Sequence, residues 1–117
     1  MYADKEYILS LRHEIHEYPE IGFDLPKTIA VVKRELDSMG VAYTEQYGKS
    51  SVVAVFQPEK KHFTIGLRAD MDALPIQEES ELEFASQNGM AHACGHDFHT
   101  AMLLGAARIL KAHEDEL

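Results

Sequence analysis

Histidine, cysteine and histidine at positions 92, 94 and 96 restrict the backbone that can carry them. Side chains two apart face the same way only on an extended or looped chain. On an α-helix they would diverge by roughly 200°. The run His92-Ala93-Cys94-Gly95-His96-Asp97-Phe98-His99 therefore reads as a loop or strand end. A thiolate and imidazoles at this spacing suit zinc or a neighbouring transition metal. Taken singly, each residue has a plainer reading: a surface histidine, or a cysteine serving as a small buried hydrophobe. It is the cluster that points to a metal.

Upstream, apolar residues recur at helical spacing in two segments. Ile8, Leu11, Ile15 and Tyr18 predict a helix over Lys5–Glu17, with Asp4 as N-cap and Pro19 as the stop. Ile29, Val32, Leu36 and Met39 predict a second over Pro26–Met39, with Asp24 or Leu25 at its start and a left-handed exit at Gly40. Three strands are then expected, over residues 42–46, 51–56 and 63–69, the second buried on both faces. Residues 77–90 form a polar loop. A last helix follows the histidine-cysteine run, capped by Asp97 or Thr100 and packing through Met102, Leu103, Ala106, Ile109 and Leu110. There is no repeat, low-complexity stretch or linker, so 1–117 reads as one α/β layered unit.

Asp70 and Asp72 fall just past the third expected strand, where loops of open α/β sheets converge over a ligand crevice. A carboxylate pair at this spacing can supply a metal ligand and a partner that fixes a histidine tautomer. The plainer reading is a solvated acidic turn. Arg68 either neutralises the pair, as a surface ion pair, or receives a substrate carboxylate. Eleven basic against twenty acidic residues, a formal charge of −9, argue against nucleic acid or an anionic membrane as partner. The opening Met1–Glu6 shows no leader pattern, and the apolar stretch 101–107 is too short to span a bilayer. One cysteine excludes an internal disulfide and suits a reducing cytoplasm, the expected location.

Three stretches stand out together: Leu11-Arg12-His13-Glu14-Ile15-His16 with Pro19-Glu20-Ile21-Gly22-Phe23, then Gly66-Leu67-Arg68-Ala69-Asp70-Met71-Asp72-Ala73-Leu74-Pro75-Ile76, then His92–Asp97 with His99-Thr100-Ala101. They resemble the metal-dependent amidohydrolases that remove acyl groups from amino acids. These enzymes include aminoacylases, hippurate hydrolases, indole-acetyl-amino-acid hydrolases and N-acetyldiaminopimelate deacetylases, within the aminoacylase/carboxypeptidase superfamily. The resemblance implies a zinc-peptidase-like fold, metal ligands at Cys94 and His96, and catalytic-region aspartates at Asp70 and Asp72. Counting back from Pro75, Asp72 falls where the superfamily keeps its catalytic aspartate and Asp70 where it has a metal-binding histidine; both are carried as candidates.

It further implies a divalent transition metal: zinc or manganese, with cobalt and nickel as alternatives, two ions per complete site. The implied substrate is a small N-acyl amino acid, attacked by activated water. Family enzymes are several times longer. Their Glu-Glu pair with the general-base glutamate, their further histidine ligands and their lid or dimerisation domain all lie downstream. The expectation is thus the N-terminal portion of a catalytic domain, truncated, inactive by itself and open to self-association. Glu78-Glu79 is read as solvated loop charge rather than a substitute. Two other readings stand beside it: a non-catalytic module with a structural metal at Cys94 and His96, completed by His92 or His99, and a plain folded unit with an idle polar cluster.

Overall fold

Helix α1 spans Lys5–Glu17, and its start is set by Asp4, whose carboxylate accepts the backbone N–H groups of Glu6 and Tyr7. Helix α2 spans Pro26–Met39 and ends at Gly40 with φ 71°, a left-handed exit that a side chain would strain. Both helices occupy the predicted spans. The computed structural model describes residues 4–60 and 62–117. Met1–Ala3, part of the opening read for a leader, lie outside them.

The start of α2 is held from a distance. Leu25 sits at the N-cap and has no side chain that can bond. The carboxylate of Glu20 replaces it, accepting the N–H groups of Lys27 (3.0 Å) and Thr28 (2.7 Å). Glu20 is buried, so these bonds are shielded from water.

The strands are shorter and fewer than expected. β1 (Tyr43–Thr44) and β2 (Val53–Ala54) pair antiparallel, Tyr43 against Ala54 and Thr44 against Val53. They form the one sheet among the described residues. Segment 51–56 is not buried on both faces, since Val55 is half exposed. Segment 63–69 forms no strand. Backbone polar groups need a neighbouring strand to make a ladder, and none lies beside this one among the described residues. Its apolar side chains stand in solvent: Phe63 is 81 %, Ile65 74 % and Leu67 57 % exposed.

Helix α3 spans His96–Ala112 and packs chiefly on α1, with a smaller contact to α2. The core joins Leu11 and Ile15 of α1, Val31, Val32 and Leu36 of α2, Val41, and Ala101 and Leu104 of α3. The buried stripes are rotated from those expected. In α2, Thr28 and Val31 are buried while Ile29 and Met39 are half-buried. In α3, the buried face is Thr100, Ala101, Leu104, Gly105 and Ala107, and Met102 is 49 % exposed. Leu103 and Leu110 line an open groove of about 980 Å³. No helix among the described residues is long and apolar enough to cross a membrane.

Replacing Glu20 by alanine leaves two buried N–H groups of α2 without acceptors. Urea unfolding should show a loss of ~1–3 kcal/mol, as for hydrogen bonds to charged groups, and Glu20→Gln should recover part of it.

Candidate metal centre

The acidic segment is fixed by hydrogen bonds rather than by a strand end. Leu74 and Ala91 exchange two backbone bonds of 2.9 Å, which ties it to the start of the histidine-cysteine run. Ala73 N–H donates to the Glu20 carbonyl at 2.7 Å. The Thr100 hydroxyl donates to the Asp70 carbonyl at 2.8 Å. Asp70 and Asp72 are thereby pinned against the first turn of α3.

Helix α3 starts within the motif. Gly95, with φ 90°, turns the chain and is the N-cap; neither Asp97 nor Thr100 caps the helix, as had been expected. A left-handed residue can bring the chain directly from the bend at Cys94 and Gly95 into the helix, so the first helical residue is His96. Asp97 lies one residue inside, where its side chain faces α1.

His96 Nδ1 lies 2.9 Å from the Asp72 carbonyl and 3.0 Å from Asp72 Oδ1. Both oxygens can only accept, so the ring proton sits on Nδ1 and the lone pair on Nε2. That is the arrangement by which an outer carboxylate orients a metal-binding imidazole. Nε2 is 3.9 Å from Asp70 Oδ2. This is too long for a hydrogen bond, yet within the span of two metal–ligand bonds of roughly 2.0–2.1 Å each. Arg68 donates to Asp70 and is otherwise exposed. Asp70, Asp72 and His96 all line the open groove described above.

The other predicted donors spread out. Cys94 is exposed on the bend before Gly95. The His99 ring sits 5.6 Å from that of His96. His92 turns inward, is 6 % exposed, and has no hydrogen-bond partner on either ring nitrogen. Burial holds it below the usual histidine pKa. Among the described residues no three histidine, cysteine, aspartate or glutamate side chains converge tightly enough to hold an ion as a complete site. The donor chemistry fits a metal, and His96 Nε2 and Asp70 Oδ2 stand at a separation an ion could bridge.

Beneath the motif lies a charged cluster that sequence reasoning missed. Asp97 is fully buried, and its Oδ2 accepts from Arg12 Nε (2.9 Å) and His16 Nδ1 (2.8 Å). Burial alone would raise its pKa; the His16 hydrogen bond, the Phe98 N–H and the charges of His92 and Arg12 hold it below the ordinary value. His16 Nε2 is 2.8 Å from Glu78 Oε1, off the N–H direction, so the contact is electrostatic rather than a directed bond.

Glu78 is therefore not solvated loop charge. Its side chain is 8 % exposed, whereas Glu79 is exposed. Burial pushes the Glu78 carboxyl up, but the Ser80 hydroxyl, the Ser86 N–H and the His16 ring outweigh it and bring the pKa down to about 2. Loop residue Phe84 stacks on His13 (3.9 Å between centroids) and lies under Arg12. One signal was legible in the sequence: Arg12 and His16 are four apart, on the face of α1 that also carries Leu11 and Ile15.

Residues 66–117 match the sequence profile of peptidase family M20/M25/M40. Over these residues the chain is similar to the M20 peptidases. The chain is 48 % identical over 113 residues to the IAA-amino acid hydrolase ILR1-like 5 of Arabidopsis thaliana, covering 96 % of this chain and 26 % of that protein. It is 44 % identical to the N-acyl-L-amino acid amidohydrolase of Geobacillus stearothermophilus, over 97 % of this chain and 31 % of that enzyme. Among solved structures, the Bacillus subtilis YXEP protein, described as a dinuclear metal-binding peptidase of the M20 family, superposes with a TM-score of 0.88 at 38 % identity. That match covers 97 % of this chain and 33 % of the other. The chain thus spans between a quarter and a third of the length of these proteins. Helices beside a small sheet match the fold of the corresponding part of that M20 peptidase.

The depressed Glu78 pKa sets a sign for acid stability. Its contribution is complete above about 4.5, the ordinary value, and drains away as pH falls toward about 2. Urea unfolding at a series of pH values should show a shallower loss across that window in Glu78→Gln than in the unsubstituted chain.

Proposed function

We propose that this chain supplies the donor-bearing part of the catalytic domain of a metal-dependent amidohydrolase acting on N-acyl amino acids. The single observation that carries the reading is the geometry of His96: its Nδ1 proton is committed to Asp72, and its Nε2 lone pair faces Asp70 across 3.9 Å. The similarity to N-acyl-amino-acid hydrolases supports the substrate class.

His96 Nε2 and the Cys94 thiolate would hold the ion, zinc or manganese, two ions when the site is complete. Asp70 would face it, and Asp72 would keep His96 in the donating tautomer and raise its basicity. The chemistry supplied by the bound ion is polarisation of the amide carbonyl and activation of water. The groove beside Asp70, Asp72 and His96 has room for a small acyl amino acid. The glutamate that moves the water proton would come from outside residues 1–117, since Glu78 is committed to Ser80, Ser86 and His16. An exposed thiol that must stay reduced suits the cytoplasm.

Cobalt(II) titration tests this. The chain should develop a thiolate-to-cobalt charge-transfer band, absent from Cys94→Ser, and His96→Ala should weaken binding at least about tenfold. A band of equal strength in Cys94→Ser, or no band in the unsubstituted chain, overturns the reading. With zinc or manganese, residues 1–117 alone should show no multiple turnover on N-acetyl or N-benzoyl amino acids.

A further inference from the structure

Three elements meet on one imidazole. His16 of α1 contacts Asp97 of α3 through Nδ1 and Glu78 of the 77–90 loop through Nε2, each at 2.8 Å. Asp97 is the second residue of α3, and its neighbour His96 is the first. The same first turn grips the acidic segment, through His96 Nδ1 to Asp72 and Thr100 Oγ1 to the Asp70 carbonyl. A displacement of Asp97 would therefore move His96 and both aspartates together.

Glu78 is well placed to prevent such a displacement. It is itself held by Ser80 and Ser86, and the loop around it is stapled to α1 by the stack of Phe84 on His13. We propose that Glu78, acting through His16 and Asp97, is a positioning residue that sets the first turn of α3 and so the direction of His96 Nε2. This rests on His96 being a metal donor, as argued above. Glu78 touches neither His96 nor the groove; its whole influence runs through the buried imidazole.

The outer partners of metal-bound histidines typically change affinity by about 10–100-fold when removed, and Glu78 stands one contact further out. Cobalt(II) affinity of the full chain should fall about tenfold in Glu78→Ala and less in Glu78→Gln, with circular dichroism unchanged. Glu79→Ala, on the exposed neighbour, should bind as the unsubstituted chain does. Independently of metal, long-range ¹H–¹⁵N spectra should show His96 as the Nδ1–H tautomer in the unsubstituted chain and a mixture of tautomers in Glu78→Ala. A purely structural role would lower the melting temperature without moving that tautomer. Folded Glu78→Ala and Glu78→Gln chains that keep the Nδ1–H tautomer overturn the proposal. If the unsubstituted chain binds no cobalt while the tautomer still responds to Glu78, the metal reading falls and the positioning role stands.

Discussion

A carboxylate with no exposure to water has to be neutralised where it sits, and Asp97 is such a carboxylate. Arg12 does this and His16 adds a hydrogen bond, both from one face of α1, so the first helix and the third are joined by these polar contacts as well as by Leu11, Ile15, Ala101 and Leu104. Removing one partner of a buried pair typically costs ~3–5 kcal/mol, because the other is left uncompensated. Every donor in the candidate centre is placed relative to this pair: His96 adjoins Asp97, and the acidic segment hangs from the same helical turn.

Local chemistry made the helices legible. Asp4 at one cap, Pro26 at the start of α2 and Gly40 at its exit act within a few residues, so α1 and α2 occupy their predicted spans. A strand depends on a distant neighbour. Residues 63–69 have the composition of a buried strand, yet no ladder forms beside them among the described residues, and their apolar side chains remain exposed. The stripes were also misjudged by about one position. Large apolar residues drew attention in α3, while small ones, Ala101, Gly105 and Ala107, are among those it buries.

The centre itself was half legible. Spacing brought out the 92–99 cluster and the aspartate pair, and the resemblance narrowed them to Asp70, Asp72, Cys94 and His96; the structure joins three of these through His96 while leaving Cys94 exposed on the bend before it. Asp97 was visible but given the wrong role, since an aspartate near a helix start usually caps it. Here Gly95 takes the cap and frees the carboxylate to face inward. Glu78 was hidden for a different reason. Its burial depends on Ser80, Ser86, Phe84 and a histidine far away in the chain, and a run of acidic and polar residues normally signals solvent.

The Leu74–Ala91 bridge closes the 75–90 loop at its base, and Glu78, Phe84, Ser86 and Asn88 fasten its two sides. The tip around Glu81 and Leu82 is exposed. Closure entropy grows slowly with length, by ~0.6 kcal/mol per doubling. Extra residues spliced into that tip would therefore cost little and leave the motif undisturbed, whereas a single deletion between the bridge and Glu78 would pull the carboxylate off its histidine.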